Sequence, residues 1–306
     1  MKSWTSPHGR ALPAMGRRTL IMGVLNATPD SFSDGGQLET PAQAVERARS
    51  LIEAGADVLD IGGESTRPGA TTISADEELA RVVPVIDAIR QQWPELPLSI
   101  DTYKSTVADA AIEHGADIVN DVWGLMHGMD MKARDAWSES IAVSTSGVTS
   151  RPNSPMAEVV SRRRCPVILM HNRPDHRYGD FWEDVLRDLS ASIRIAQSAG
   201  IESKQIWTDP GFGFAKNVPH NLEVLRELHR VCALGYPVLV GTSRKSTIGA
   251  VLGTDVSDRL EGGGATVVWA IQQGCAMIRV HDVPEMARYA RMADAIKAGL
   301  SFKIPS

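Results

Sequence analysis

The 306-residue sequence predicts a single (β/α)8 TIM barrel of the α/β class. Three observations lead there. Eight short apolar runs alternate with helix-like stretches, the pattern of parallel β/α units. Each run ends on a polar or charged residue that a buried strand would otherwise exclude. The length also suits one such domain, since about 250 residues is ordinary for this barrel and longer chains carry insertions. Active sites of barrels lie at the C-terminal ends of the strands, so the polar strand ends predict a site as well as a fold.

The elements follow in order. Residues 1–18 have basic residues but no apolar core segment, and they are expected to form a flexible N-terminal tail. The barrel domain is expected over 19–306. Strand 1, near 20–25, runs into Asn26 and the Pro- and Gly-containing loop 26–36, which carries the aromatic Phe32. Strand 2, near 57–61, carries Asp60 and leads into Asp60-Ile-Gly-Gly-Glu-Ser-Thr-Arg-Pro-Gly69. Ser74 and Glu77 then read as a capping box, and Leu79, Val82, Val83 and Ile86 follow at helical spacing. Strand 3, near 97–101, ends on Asp101, and strand 4, near 117–120, ends on Asn120. Gly55-Ala-Asp57 and Gly115-Ala-Asp117 read as helix C-caps followed by strand entry.

The rhythm breaks at about 124–155, a stretch with Trp137 and a Ser/Thr-rich patch over 144–150. So long a loop is unusual and is either functional or a passive insertion. It follows strand 4 and is placed on the active-site face. A helix over 156–163 restores the alternation. Strand 5, near 166–170, meets His171, and strand 6, near 205–208, meets Asp209. Strand 7, near 237–241, leads into Ser243, Arg244 and Lys245, and strand 8, near 276–280, carries Arg279 with His281 two residues on.

Composition bounds the function. A net charge of -5 gives no support to a general nucleic-acid surface, although a local cationic pocket stays open. The 5% aromatic share moves the core onto Val, Ile, Leu and Ala, as barrel strands require. Three cysteines, Cys165, Cys232 and Cys275, are an odd number with no C-x-x-C pair, which argues for packing residues in a reducing compartment. No stretch approaches the roughly 18 apolar residues of a membrane span. A cytoplasmic protein is expected.

Two polar constellations stand out. Arg67 follows two glycines on a loop with Ser65 and Thr66, a combination suited to anions. Ser243, Arg244 and Lys245 open a helix, where cations oppose the macrodipole and call for an anionic partner. With Arg279 and His281 on strand 8 they form a candidate phosphate pocket, although each alone reads more readily as a surface charge than as a ligand group. Asp60, Asp101, Asn120 and Asp209 form the second set. Their carboxylates and amide match the donor and acceptor edge of a flat, nitrogen-rich ring. Asp101 also reads as a helix N-cap, and His171 as a hydrogen-bonded strand-end histidine. Asn26 offers an oxygen for Mg²⁺ shared with phosphate oxygens. Trp123 and Trp207 read as packing.

The segments 26–36, 60–69, Ser99-Ile-Asp-Thr-Tyr-Lys104, Asn120-Asp121, Met170-His171, Asp209-Pro-Gly-Phe-Gly-Phe214, Ser243-Arg-Lys245 and Arg279-Val-His281 resemble dihydropteroate synthase, in the family's order, from about Thr19 to Val283. The resemblance implies a transferase that joins 6-hydroxymethyl-7,8-dihydropterin pyrophosphate to p-aminobenzoate, releasing pyrophosphate and 7,8-dihydropteroate for folate biosynthesis. It implies that Asp101, Asn120, Asp209, Lys245, Phe214 and Arg279 take the pterin. Asn26, Arg67, Arg279 and His281 would take the pyrophosphate, with Asn26 on Mg²⁺. Thr66, Pro68, Phe32 and Ser243 would shape the p-aminobenzoate site, which sulfonamides mimic. Catalysis would fall to Asp101, Lys245, Arg67 and Asn26, in a homodimer. The 124–155 stretch is longer than the family's usual connection. Two rival readings remain: a pterin-dependent methyltransferase, which has no pyrophosphate to hold, and a non-catalytic pterin carrier.

Overall fold

A computed structural model describes residues 4–28, 40–65, 71–130, 132, 135, 137 and 153–303. Eight parallel strands form a nearly closed barrel with helices between them. They are β1 (Leu20–Asn26), β2 (Val58–Gly62), β3 (Leu98–Asp101), β4 (Ile118–Asp121), β5 (Val167–Met170), β6 (Ile206–Asp209), β7 (Leu239–Val240) and β8 (Met277–Val280). The sheet runs β6-β5-β4-β3-β2-β1-β8-β7, and a parallel bridge between Thr208 and Val238 brings its two edges together.

The helices are α1 (Pro41–Glu53), α2 (Ala75–Gln92), α3 (Ser105–Glu113), α4 (Pro155–Arg163), α5 (Phe181–Ser198), α6 (Val218–Arg226), α7 (His229–Cys232), α8 (Ser246–Leu252), α9 (Leu260–Gln272) and α10 (Val283–Ala298). Thr40 and Gln43 close a reciprocal capping box on α1. On α2 the expected box is half made. Ser74 Oγ accepts from the Glu77 amide at 3.1 Å, but the Glu77 carboxylate pairs with Arg81 one turn on. Gly55 and Gly115, at φ +103° and +112°, turn the chain out of α1 and α3 as expected.

Period-two alternation explains why the strands end polar. Leu20, Met22, Val58, Ile118, Ile168, Trp207, Leu239 and Met277 pack together as one cluster inside the lower barrel. Two residues further along, the same strand faces carry Asp60, Asn120, Asp209 and Arg279 at the upper end. The remaining strand residues, such as Leu59, Ile61, Ile100 and Val119, pack outward against the helices.

The described part of the N-terminal segment is packed, in contrast to the flexible tail expected from its sequence. Trp4 is buried against Trp207 with ring centroids 4.7 Å apart, and its Nε1 donates to the Pro13 carbonyl at 2.9 Å. Ser6 Oγ donates to Asp117 Oδ1 at 2.5 Å, and Met15 joins the interior cluster. Residues 4–15 thus plug the bottom of the barrel. Asp117 is the anchor there, accepting from Arg10 at 3.0 Å, from Arg90 at 2.6 Å and from the Leu98 amide at 3.0 Å.

Within the expected insertion, Leu125, Met126 and Trp137 are buried against the outer core, and Ser154 caps α4 while donating to the Leu125 carbonyl at 2.8 Å. Residues 131, 133, 134, 136 and 138–152 lie outside the described residues.

Candidate active site

Strand register builds the site in tiers. Asn26 is level with Gly62, Gly62 with Asp101, and Asp101 with Asn120. Asp60 sits one tier lower, level with Val24 and Ser99. Arg279 pairs in register with Met22 across β8 and β1, and its long side chain reaches over to the β2 and β3 ends. It donates from Nε to Asp60 Oδ2 and from Nη2 to Asp101 Oδ2, both at 2.6 Å. Asn120 Nδ2 donates to the same Asp60 oxygen at 3.0 Å. The two constellations read from the sequence therefore meet in one side chain: Arg279 belongs to the carboxylate cluster as well as to the cationic rim.

The cluster is electrostatically incomplete. Asp60 Oδ1 and Asp101 Oδ1 are buried and have no hydrogen-bond partner among the described residues. A buried acceptor without a donor costs about 1–3 kcal/mol, more when charged. Burial pushes the Asp101 carboxyl up to about 7, against the pull of Arg279. For Arg279, burial opposes the charge, but Asp60 and Asp101 outweigh it and hold the guanidinium above its usual value. Asp209, at the end of β6, is raised to about 6 by burial, although its Oδ1 accepts from the Gly211 amide at 2.7 Å. Three carboxylates thus surround space that a ligand rich in N–H donors could fill.

Lys245 approaches from the β7 end. Its Nζ lies 4.1 Å from the centroid of the Phe214 ring, and a Cβ on Gly213 would stand only 2.9 Å from its Cδ. Glycine at 213, at φ +84°, is what lets the lysine lie across this turn. Ser243 Oγ meets the His281 amide at 3.2 Å and its Nδ1 at 3.0 Å, joining the β7 and β8 ends. At Gly62, an added Cβ would stand 3.6 Å from Asp101 Cβ and 3.8 Å from Asn26 Oδ1, entering the space between them.

Several expectations change here. Arg244 turns away from the carboxylate cluster at φ +57° and is paired with Asp282, so the anionic partner demanded by adjacent cations is supplied for it within the protein. Asp101 is not a helix cap; the residue at the start of α3 is Lys104, without a side-chain cap bond. Lys245 holds the N-cap position of α8 rather than its first turn. Phe32, Thr66, Arg67 and Pro68 lie outside the described residues.

His171 is a bonded strand-end histidine, and its partner is a residue the sequence reading passed over. Lys216 Nζ lies 2.8 Å from His171 Nδ1 in a buried environment. Its only signal in the sequence was a lysine two residues after the aromatic Phe214 in a strand-end loop. Likewise Lys104 meets both Glu64 and Glu78, and the Tyr103 hydroxyl donates to Glu64 at 2.8 Å, tying the β2 and β3 ends together.

Comparison with known proteins agrees with this geometry. Residues 22–281 match the pterin binding enzyme family. The chain is 47% identical over 279 residues to a dihydropteroate synthase of Bacillus subtilis, covering 91% of this chain and 89% of that one. The chain belongs to the dihydropteroate synthase family of pterin-binding enzymes. Members of known structure superpose closely. A Clostridium difficile dihydropteroate synthase solved in the presence of pteroic acid gives a TM-score of 0.81 at 43% identity, over 93% of this chain and 99% of that one. A Xanthomonas albilineans dihydropteroate synthase with 4-aminobenzoic acid gives 0.82 at 40%, over 96% and 100%.

Proposed function

We propose that this chain condenses 6-hydroxymethyl-7,8-dihydropterin pyrophosphate with p-aminobenzoate to give 7,8-dihydropteroate and pyrophosphate, at the mouth formed by β1, β2, β3, β4, β6, β7 and β8. One observation carries the reading: Asp60 and Asp101 keep buried acceptor oxygens without donors beside Arg279. A pterin ring presents amide and amine N–H groups at one edge, and carboxylates match such paired donors. In this assignment Asp101, Asn120 and Asp209 hold the ring edge, Phe214 borders it, and Lys245 and Arg279 lie against it.

The pyrophosphate falls to Arg279, His281 and Asn26, with Arg67 contributing from outside the described residues. Thr66, Pro68 and Phe32, also outside them, and Ser243 shape the p-aminobenzoate site, where a sulfonamide competes. Cations preorganised around the departing pyrophosphate stabilise the charge it gains. Asp101 then faces the electron-poor pterin carbon as an anion, and the neutral arylamine attacks without a strong general base. Arg67 and Lys245 count against the methyltransferase reading, which has no pyrophosphate to neutralise.

Mg²⁺ fits the donor set. Among the described residues no group of three or more His, Cys, Asp or Glu could hold a metal alone. Magnesium commonly keeps waters and takes phosphate oxygens with one or two protein ligands. Asn26, whose Oδ1 lies with the Asp101 carboxylate over Gly62, is placed to be such a ligand. When bound, the ion would neutralise charge building on the pyrophosphate oxygens.

A cytoplasmic homodimer belongs to the same reading. The dimer draws support from the exposed apolar residues Val251 and Leu252 on α8 and Trp269 on α9, suited to a partner's apolar surface.

The test is arylamine-dependent pyrophosphate release and dihydropteroate formation with Mg²⁺, with and without a sulfonamide. Turnover that needs p-aminobenzoate is the expected result. Pterin bound with no turnover would point to a carrier and defeat the synthase reading. Lys245→Ala is expected to weaken the pyrophosphate substrate in titration calorimetry, and unchanged affinity would remove Lys245 from the pocket.

A further inference from the structure

Lys216 is a buried lysine with no carboxylate bonded to it among the described residues. Burying an ammonium is costly, and such groups neutralise unless something repays them. Its Nζ donates toward His171 Nδ1 at 2.8 Å and to the Phe214 carbonyl at 3.1 Å. His171 is itself fully buried, and its Nε2 lies 3.3 Å from Asp188 Oδ2. A carboxylate only accepts, so Nε2 carries the proton and Nδ1 presents its lone pair to Lys216. Burial, with Lys216 nearby, holds the imidazole down at about 3, so it stays neutral. Arg173 Nε closes the chain with 2.6 Å to the same Asp188 oxygen. Tyr178 stacks on His171 and donates to the Ala215 carbonyl at 2.8 Å, covering the cluster.

This cluster abuts the turn that carries Asp209. Gly211 donates to Asp209 Oδ1, and the His171 amide donates to the Asp209 carbonyl at 2.9 Å. A Cβ on Gly211 would stand 3.3 Å from Lys216 Nζ and 1.9 Å from the His171 carbonyl oxygen. The lysine head therefore packs directly on the segment that aims Asp209.

We propose that Lys216, clamped by His171, is a positioning residue for Asp209: its amine holds the Asp209–Phe214 turn in place and its positive charge keeps the Asp209 carboxylate ionised for the pterin. The inference rests on the pterin assignment of Asp209 made above. The groups around it are known. Lys216 faces His171 and Arg173 from the β5 end, Asp188 from α5, Asp209 from β6, His220 from α6 and Lys245 from the β7 end, while Asp209 also faces Arg279 from β8. Burial lowers Lys216 to about 7 and raises Asp209 to about 6, so the lysine charge is present where Asp209 would gain its proton. Removing a nearby cation raises a carboxyl's midpoint.

The experiment is calorimetric binding of a phosphate-free hydroxymethylpterin from pH 5 to 8, to the wild type, Lys216→Met and Lys216→Arg. The phosphate-free probe adds no titrating phosphate of its own. Wild-type affinity is expected to fall on the acid side. In Lys216→Met that acid limb moves up by at least about half a unit, which costs roughly twofold more affinity near pH 6 than near pH 8. Lys216→Arg keeps the limb near its wild-type position. In steady state, KM for the pterin substrate rises in Lys216→Met while kcat changes much less. A limb that stays put in Lys216→Met, whatever the loss of affinity or Tm, would mean a merely structural lysine and overturn the proposal.

Should Lys216→Met fail to fold, ¹⁵N-lysine NMR of the wild type and Asp209→Asn decides. Asp209→Asn removes the carboxylate charge, so the Lys216 midpoint should fall, and an unmoved midpoint refutes the coupling. A wild type that binds no pterin at all would instead defeat the functional reading, and this inference with it.

Discussion

Arg279→Met tests the link between the carboxylate cluster and the fold. The substitution keeps most of the aliphatic bulk but strips two 2.6 Å bonds from Asp60 and Asp101. Breaking a buried ion pair by removing one partner costs about 3–5 kcal/mol. Arg279 retains 20% side-chain exposure, which places the expectation at the lower end, about 3 kcal/mol near pH 8. That cost should shrink in acid, and the sign can be worked out. Asp101 rises from 3.8 to about 7 in the folded wild type, and without Arg279 it rises further. A carboxyl raised on folding binds more protons in the native state, so stability is full below the unfolded value and is lost as pH climbs through the folded one. From pH 8 to 6 the variant should regain about 2.7 kcal/mol, at about 1.36 per unit, and the wild type about 1.4. The difference between them should therefore fall from about 3 to about 1.7 kcal/mol. Urea unfolding of both proteins at pH 8 and pH 6 measures this. A difference independent of pH, or well below about 1 kcal/mol at pH 8, would refute Arg279 as the counter-charge of Asp101.

Three further outcomes follow from other parts of the molecule. Pterin affinity should strengthen as pH rises through about 6 and about 7, where Asp209 and Asp101 lose their protons, with proton release visible as a buffer-dependent heat; a flat profile would contradict the carboxylate assignment. Asp117→Asn should cost about 2–3 kcal/mol, because it removes the counter-charge of Arg10 and Arg90 at the barrel bottom, yet leave kcat/KM unchanged in assays run well below Tm. Trp4→Ala should lower stability by about 3 kcal/mol in urea unfolding through the lost contact with Trp207; no loss would mean the N-terminal plug contributes nothing.

The tiers of the barrel decided what could be read from the sequence. Interior positions recur every second residue, so a strand such as Ile118–Asp121 shows an apolar residue below and a polar one above, and the eight polar strand ends were legible for that reason. The N-terminal plug was not legible, because Trp4 and Met15 are isolated apolar residues in a polar segment without periodicity. Arg244 and Lys245 looked equivalent in sequence. Only the backbone at 244, in the left-handed region, and the position of Asp282 separate the surface pair from the lysine over Phe214.

Side-chain reach was the other hidden quantity. Arg279 was legible as a cation at the β8 end and Asp60 and Asp101 as ring-edge acceptors, but their union depends on the Arg279 side chain reaching past β1 to the β2 and β3 ends. Lys216 was hidden more completely, since His171 beside it, the Asp188 behind that histidine and the Asp209 turn come from three elements and none sits at a recognisable spacing from it. The carboxylates in the pocket are pushed up by burial and pulled back by cations that arrive from other strand ends and from behind the Asp209 turn. Those cations govern whether the mouth meets its ligand as an acid or as an anion near neutral pH. A search confined to residues that touch the ligand would find Asp101 and Asp209 and miss what sets their charge.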